Sequence, residues 1–270
     1  MKNLVSTDWL EKNLHKVKIL DATWHMPHTK RNALVEFSKN HIENSIFFDL
    51  DKSSNQNSSL PHMLPSKEYW AETLSNLGIK NSDHVIIYDN SDVLSSCRVW
   101  YNFLYFEHNP NLVSVLDGGF RKWLKENKNT SHTLKSFSKS NYQAFENTEM
   151  VLSKDQINLN IKNKKFELID ARSEERFKGI QPEPRPEIKS GNILGSKNLP
   201  FTVLINEDNT FKKKFELKSL FTNLELDPNK DMAFTCGSGV TASILGLANS
   251  IISGKNPVIY DGSWSEYGLK

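Results

Sequence analysis

A cysteine followed by small residues is the feature of this sequence best suited to chemistry. Cys236 opens the run Cys-Gly-Ser-Gly-Val-Thr, which ends at Thr241. Residues 232–235 are typical of a buried strand bounded by a turn at 227–230, and the aliphatic residues 242–252 are typical of a helix. Backbone N–H groups in such a loop, together with the positive end of the helix, favour the nucleophilic thiolate. An isolated cysteine is usually a packing residue, but this context favours reactivity.

The elements that would position Cys236 belong to a pattern that occurs twice in the chain. In each half a capped helix start, such as the capping box at Ser153–Gln156, precedes a strand that closes on Asp-Ala, at Ala22 and Ala171. Corresponding residues stand at 21 and 170, 41 and 192, 89 and 236, and 117 and 261, with offsets of 144 to 151 residues. Such constant offsets indicate a tandem duplication. Strands alternating with helices predict an α/β fold of two tandem domains, each a mainly parallel sheet flanked by helices.

The domain boundaries follow from the duplication and from a polar stretch at residues 135–142 that lacks hydrophobic periodicity. We expect a first domain over residues 1–135 and a linker over residues 136–150. The second domain, which carries the cysteine loop, is expected over residues 151–270.

The two halves differ at the position of the reactive cysteine. Asp89 aligns with Cys236, and an aspartate cannot carry out sulfur chemistry, so the first domain is expected to lack a catalytic cysteine. Cys97 precedes an apolar run and is predicted to be a buried packing residue. One active site per chain follows, and we expect it between the two halves.

Composition and charge narrow the classes of function. The net charge is only +2, from 34 basic and 32 acidic residues, which favours neither nucleic acid nor an anionic membrane as a partner. Two cysteines far apart in sequence cannot form a disulfide framework. The first residues do not have the pattern of a signal peptide, and no apolar run is long enough to span a membrane. These features predict a protein of the reducing cytoplasm.

The cysteine loop, the duplicated unit and the ending Asp-Gly-Ser-Trp-Ser-Glu-Tyr-Gly at residues 261–268 resemble the two-domain rhodanese superfamily, and within it the 3-mercaptopyruvate sulfurtransferases. The resemblance covers nearly the whole chain and implies two rhodanese-like domains. It also implies that Cys236 takes sulfur from the small molecule 3-mercaptopyruvate, which leaves pyruvate and an enzyme persulfide. A thiol such as that of thioredoxin, or cyanide, would then accept the sulfur. No cofactor and no metal is expected.

The resemblance also assigns roles to individual residues. Arg176 and Arg185 match the arginines that hold the carboxylate and keto oxygen of the donor, which suits the fork geometry of a guanidinium. Asp51 and His62 match an aspartate and a histidine that the family places beside the loop serine, here Ser238, to relay a proton. The remaining expected site residues are the substrate-binding Gly237, Gly239, Val240 and Thr241, and the bracing pair Asp170 and Arg172.

Three other functions remain as alternatives. Thiosulfate sulfurtransferases share this fold, but their cysteine loop usually carries basic side chains for a dianion, where this chain has Gly237 and Ser238. Cysteine phosphatases and arsenate reductases need an arginine six residues after the nucleophile, where this chain has Ala242. A non-catalytic binding module would not need the cysteine and the arginine pair together. Thiosulfate transfer is therefore the strongest of the three alternatives.

Overall fold

The computed structural model describes residues 3–226 and 230–270, so most of the turn predicted at 227–230 lies outside the described residues. The chain divides into two compact units. The first takes in the residues up to Gln56, Pro65–Asn147 and Glu207–Thr210. The second takes in Asn57–Leu64, Thr148–Asn206 and the residues from Phe211 onwards. A short segment of the first sequence repeat therefore belongs to the second unit.

Among its described residues, the first unit contains a five-stranded parallel sheet, a two-stranded antiparallel sheet and five α-helices. Its strands are β1 (Leu4–Val5), β2 (Lys18–Asp21), β3 (His41–Ile42), β4 (Ser45–Phe47), β5 (Val85–Tyr88), β6 (Val113–Leu116) and β7 (Thr130–Ser131). Its helices are α1 (Thr7–Asn13), α2 (Ala33–Lys39), α3 (Lys67–Asn76), α4 (Ser96–Tyr105) and α5 (Gly119–Lys125), with a 3₁₀ turn at Pro27–Thr29. The order of the large sheet is β1-β6-β5-β2-β4. All four residues of β5 are buried, as expected for a strand covered on both faces.

The second unit contains a second five-stranded parallel sheet. Its strands are β8 (Val151–Leu152), β9 (Phe166–Asp170), β10 (Lys197–Asn198), β11 (Asp231–Thr235) and β12 (Val258–Tyr260). Its helices are α6 (Lys154–Asn163), α7 (Glu174–Phe177), α8 (Lys214–Thr222), α9 (Ala242–Ser253) and α10 (Ser263–Tyr267), with 3₁₀ turns at Thr148–Met150 and Phe201–Leu204. The order is β10-β9-β11-β12-β8, which is the order of the first sheet read from the other edge.

The two sheets also correspond in register, which confirms the predicted α/β fold with tandem domains. Asp21 pairs with Tyr88 in the first sheet, and Asp170 pairs with Thr235 in the second. Asp89 follows Tyr88 and Cys236 follows Thr235, so these two residues occupy equivalent positions in the two units.

The cysteine loop lies where a parallel sheet commonly binds ligands. Strands β9 and β11 are neighbours, and the chain leads from β9 to β10 at one side and from β11 to β12 at the other, which is the switch point at which open α/β sheets commonly bind ligands beyond the carboxyl ends of their strands. Asp170 and Thr235 pair at these carboxyl ends, so the turn after Asp170 and the loop that starts at Cys236 leave the sheet next to each other. Among the described residues, no helix combines the length and the hydropathy needed to cross a membrane.

The stretch expected to be a linker lacks helix and strand over residues 132–147 but is packed against the first unit. Tyr142 is only 2% exposed. Its backbone N–H donates to Ser75 Oγ at 2.9 Å, and its hydroxyl lies 3.0 Å from His108 Nδ1. These contacts tie the stretch to the first unit.

Candidate active site

The loop that begins at Cys236 runs from the end of β11 to the start of α9, as the strand–loop–helix pattern predicts. Gly239 has a φ of 79°, a left-handed conformation that glycine adopts without steric cost. The Ser243 hydroxyl donates to the Gly239 carbonyl at 2.9 Å, which ties the turn to the first turn of α9. Cys236 is 1% exposed, and Val240, in the same loop, is also buried.

The first three residues of α10 hold the backbone on both sides of the cysteine. The Cys236 N–H donates to Ser263 Oγ at 3.3 Å, and the Trp264 N–H donates to the Cys236 carbonyl at 2.9 Å. The Ser265 N–H donates to the Gly237 carbonyl at 2.9 Å. These contacts fix the start of the loop against α10.

Both arginines expected to bind substrate approach the loop at Gly237. A Cβ placed on Gly237 would lie 3.4 Å from Arg176 Nη2, so the absence of a side chain leaves this guanidinium room beside the loop. Arg185 Nη1 donates to Ser265 Oγ at 2.8 Å, and Ser265 Oγ donates to the Gly237 carbonyl at 2.5 Å. The structure therefore brings Arg176, Arg185 and the residue after Cys236 together.

A buried carboxylate joins Arg176 to the bracing arginine. Glu183 accepts from Arg176 Nη2 at 2.5 Å and from Arg172 Nη1 at 2.8 Å, and its side chain is 5% exposed. Arg172 Nη2 also donates to Asp170 Oδ2 at 2.7 Å and to the Gly191 carbonyl at 2.8 Å. Burial alone would lower the pKa of Arg172, but the two carboxylates outweigh it and raise that pKa. Arg172 and Asp170 therefore brace the surrounding loops.

His62 belongs to the second unit, where it meets the loop serine. His62 Nδ1 lies 3.0 Å from Ser238 Oγ, two residues after the cysteine. The histidine is 5% exposed and has a φ of 58°, which is uncommon for a residue other than glycine. The Leu64 N–H donates to Asp261 Oδ2 at 2.8 Å and anchors this segment.

Asp51, the remaining expected catalytic residue, lies in the first unit. Its two carboxylate oxygens each lie 3.0 Å from Trp24 Nε1.

Thr241 caps the start of α9, and its carbonyl accepts from the Ile244 N–H at 3.1 Å.

The first unit has the same backbone geometry at Asp89 without a nucleophile. The Phe120 N–H donates to the Asp89 carbonyl at 2.9 Å, as Trp264 does to Cys236. The Asp89 carboxylate accepts from the Ser91 and Ser96 N–H groups, and burial raises its pKa. Burial also raises the pKa of the Cys97 thiol well above its usual range, which fits a packing role.

One further observation bears on the phosphatase alternative. Ala242, which stands where a phosphatase of related fold needs its arginine, is fully buried at the start of α9. Within residues 3–226 and 230–270 no cluster of three His, Cys, Asp or Glu side chains is arranged to hold a metal ion.

Sequence reasoning missed three residues of this site. Ser263 and Ser265 stand in the ending that carried the family resemblance, but no role was assigned to them. Glu183 stands between Arg176 and Arg185 in sequence. Because a buried guanidinium needs a charge partner, an acidic residue at this place is the signal that could have identified it.

Comparison with known proteins agrees with the fold. The rhodanese-like domain model matches residues 6–126 and 153–270. The 3-mercaptopyruvate sulfurtransferase of Mus musculus is 38% identical over 99% of this chain and 92% of its own length. The thiosulfate sulfurtransferase of Rattus norvegicus is 36% identical over 98% of this chain and 91% of its own length.

Among solved structures, the 3-mercaptopyruvate sulfurtransferase SseA of Escherichia coli superposes with a TM-score of 0.88 at 31% identity. The match covers 98% of this chain and 100% of SseA. Both domains, their order and nearly their whole length are thus shared with these enzymes, and the chain belongs to the two-domain rhodanese family of sulfurtransferases.

Proposed function

We propose that the protein transfers sulfur from 3-mercaptopyruvate to a thiol acceptor through a persulfide on Cys236, releasing pyruvate. The observation that carries this proposal is the 3.0 Å contact between His62 Nδ1 and Ser238 Oγ. Cleavage of a carbon–sulfur bond leaves a carbon that needs a proton, and an imidazole paired with a hydroxyl is suited to deliver one. Thiosulfate contains no such carbon, so its cleavage has no use for this pair.

The proposed reaction has two half-reactions. The Cys236 thiolate attacks the sulfur of 3-mercaptopyruvate, and the electrons of the carbon–sulfur bond pass to the carbon as an enolate. Ser238 donates its proton to that carbon and recovers one from His62, which yields pyruvate. An acceptor thiolate then attacks the outer sulfur of the persulfide, and Cys236 leaves as a thiolate.

The surroundings of the loop support a monoanionic donor. Arg185 and Arg176 supply guanidinium groups beside Gly237 for a carboxylate and a keto oxygen. The loop from Gly237 to Thr241 contains no basic residue to meet the second charge of thiosulfate.

Thiosulfate transfer is the second candidate, because a rat relative named thiosulfate sulfurtransferase is 36% identical to this chain. Steady-state kinetics with each donor and the same thiol acceptor separates the two. We expect the larger kcat/KM with 3-mercaptopyruvate. A larger value with thiosulfate would contradict the proposed donor.

The persulfide itself is tested by mass spectrometry of the intact protein after donor treatment. Cys236→Ser should abolish the added sulfur, whereas Cys97→Ser, a matched control at the other free cysteine, should retain it. Sulfur found on Cys97 would contradict the assigned nucleophile.

Three parts of the proposal rest on the family resemblance or on composition. Reduced thioredoxin is the proposed physiological acceptor, and its oxidation by the persulfide-loaded enzyme tests this. Asp51 is proposed to support the proton transfer, and Asp51→Asn should then lower kcat. The two free cysteines favour a reducing compartment, so we propose the cytoplasm, which cell fractionation would test.

A further inference from the structure

Ser265 connects the cysteine loop to an arginine of the candidate site. Its hydroxyl donates to the Gly237 carbonyl at 2.5 Å and accepts from Arg185 Nη1 at 2.8 Å. Its N–H donates to the same carbonyl at 2.9 Å, so this one residue satisfies both lone pairs of that oxygen. The residue is 4% exposed, which leaves water little access to these bonds.

The two arginines differ in how their charge is balanced. Arg176 faces the carboxylate of Glu183. Within the described part of the chain, the side chain of Arg185 forms no ion pair, and its hydrogen-bond partner is the Ser265 hydroxyl. A guanidinium has five N–H donors, so four remain available after this bond. Arg185 therefore offers the loop an uncompensated positive charge.

We propose that Ser265 is a positioning residue. It holds the guanidinium of Arg185 at a fixed place relative to the cysteine loop, where the guanidinium binds the carboxylate of the donor. A hydroxyl suits this position because it donates to the carbonyl and accepts from the guanidinium at the same time. A free arginine side chain loses rotamer entropy on binding an anion, and the bond to Ser265 reduces that loss before the donor arrives. This inference rests on the proposed function, since it concerns the same donor.

The test compares wild type, Ser265→Ala and Ser265→Thr. Ser250→Ala is the matched control, because the hydroxyl of this buried serine bonds to the Lys255 carbonyl at 2.7 Å on the C-terminal side of α9. The first readout is KM and kcat for 3-mercaptopyruvate. The second is the rate of Cys236 alkylation by iodoacetate relative to iodoacetamide, two reagents that differ by a carboxylate. Arg185→Met supplies the value expected when carboxylate recognition is lost.

Loss of a hydrogen bond to a charged group predicts about a tenfold rise in KM for Ser265→Ala, with kcat close to the wild-type value. The preference for iodoacetate should fall by about the same factor, toward that of Arg185→Met. Ser265→Thr should restore both values, and Ser250→Ala should resemble wild type. Thermal unfolding of each variant verifies that it is folded.

Failure of this inference and failure of the proposed function give different results. An unchanged iodoacetate preference in Ser265→Ala contradicts the positioning role, even if the enzyme uses 3-mercaptopyruvate. An equal loss of kcat in the Ala and Thr variants also contradicts it. A wild type inactive on 3-mercaptopyruvate whose iodoacetate preference depends on Ser265 would instead contradict the proposed donor and support the positioning role.

Discussion

Replacing Glu183 by alanine should destabilise the second unit and disorient Arg176. Glu183 and Asp170 balance the charges of Arg172 and Arg176 in this network, so the substitution leaves one positive charge without a partner. Arg172 is fully buried but keeps its bonds to Asp170. The side chain of Arg176 is 23% exposed and loses both of its bonds to the carboxylate of Glu183.

The magnitude follows from these contacts. Removing one partner of a buried ion pair costs about 3–5 kcal/mol. We expect about 3 kcal/mol here, because Arg172 keeps a carboxylate and Arg176 can turn toward water. For a chain of this size that corresponds to a fall in Tm of about 6–12 °C. A misplaced Arg176 should lower kcat/KM for 3-mercaptopyruvate by about 10- to 100-fold.

The assay combines thermal unfolding with steady-state kinetics on Glu183→Ala and Glu183→Gln. Glu175→Gln is the matched control, because this exposed glutamate lies on α7 beside Arg176. The glutamine variant should be intermediate, since its amide oxygen can accept from one arginine while its NH₂ opposes the other. Wild-type Tm and kcat/KM in Glu183→Ala would contradict the role of Glu183 in this network.

Two further predictions concern proton transfer and pH. Ser238→Ala should lower kcat for 3-mercaptopyruvate by about 100-fold, which is the lower end of the effect of a general acid. Thiosulfate turnover should fall less. Equal losses with both donors would contradict the role of His62 and Ser238 in proton transfer. Burial raises the pKa of Asp21 to about 6, although hydrogen bonds from Thr23 act to lower it. The folded state therefore holds this proton to higher pH than the unfolded chain does. Ionisation of Asp21 then lowers the free energy of unfolding as pH rises from about 4 to 6. As pH rises from about 4.5 to 7, the free energy of unfolding of Asp21→Asn, measured with denaturant, should therefore increase by about 2 kcal/mol relative to that of wild type. Asp155→Asn, at an exposed position on α6, is the control and should show no such increase.

The sequence alone was sufficient to predict the features that depend on neighbouring residues. The capping box predicted at Ser153 is present at the start of α6, where the Ser153 side chain accepts from the Gln156 N–H. The apolar runs that predicted strands at β5 and β11 form the centres of the two sheets. The strand–loop–helix pattern around Cys236 is observed as well, because hydrophobic periodicity and turn chemistry are local properties of the chain.

Which side chains meet around the cysteine depends on the tertiary fold. His62 stands far from Ser238 in sequence, and its match to the family, including its spacing from Asp51, suggested that the two meet. The bridges through Glu183 and Ser265 were not predicted at all. Such contacts depend on strand order and on the paths of loops that carry no periodic signal, so a hydrogen bond between residues distant in sequence is determined only when the whole unit has folded.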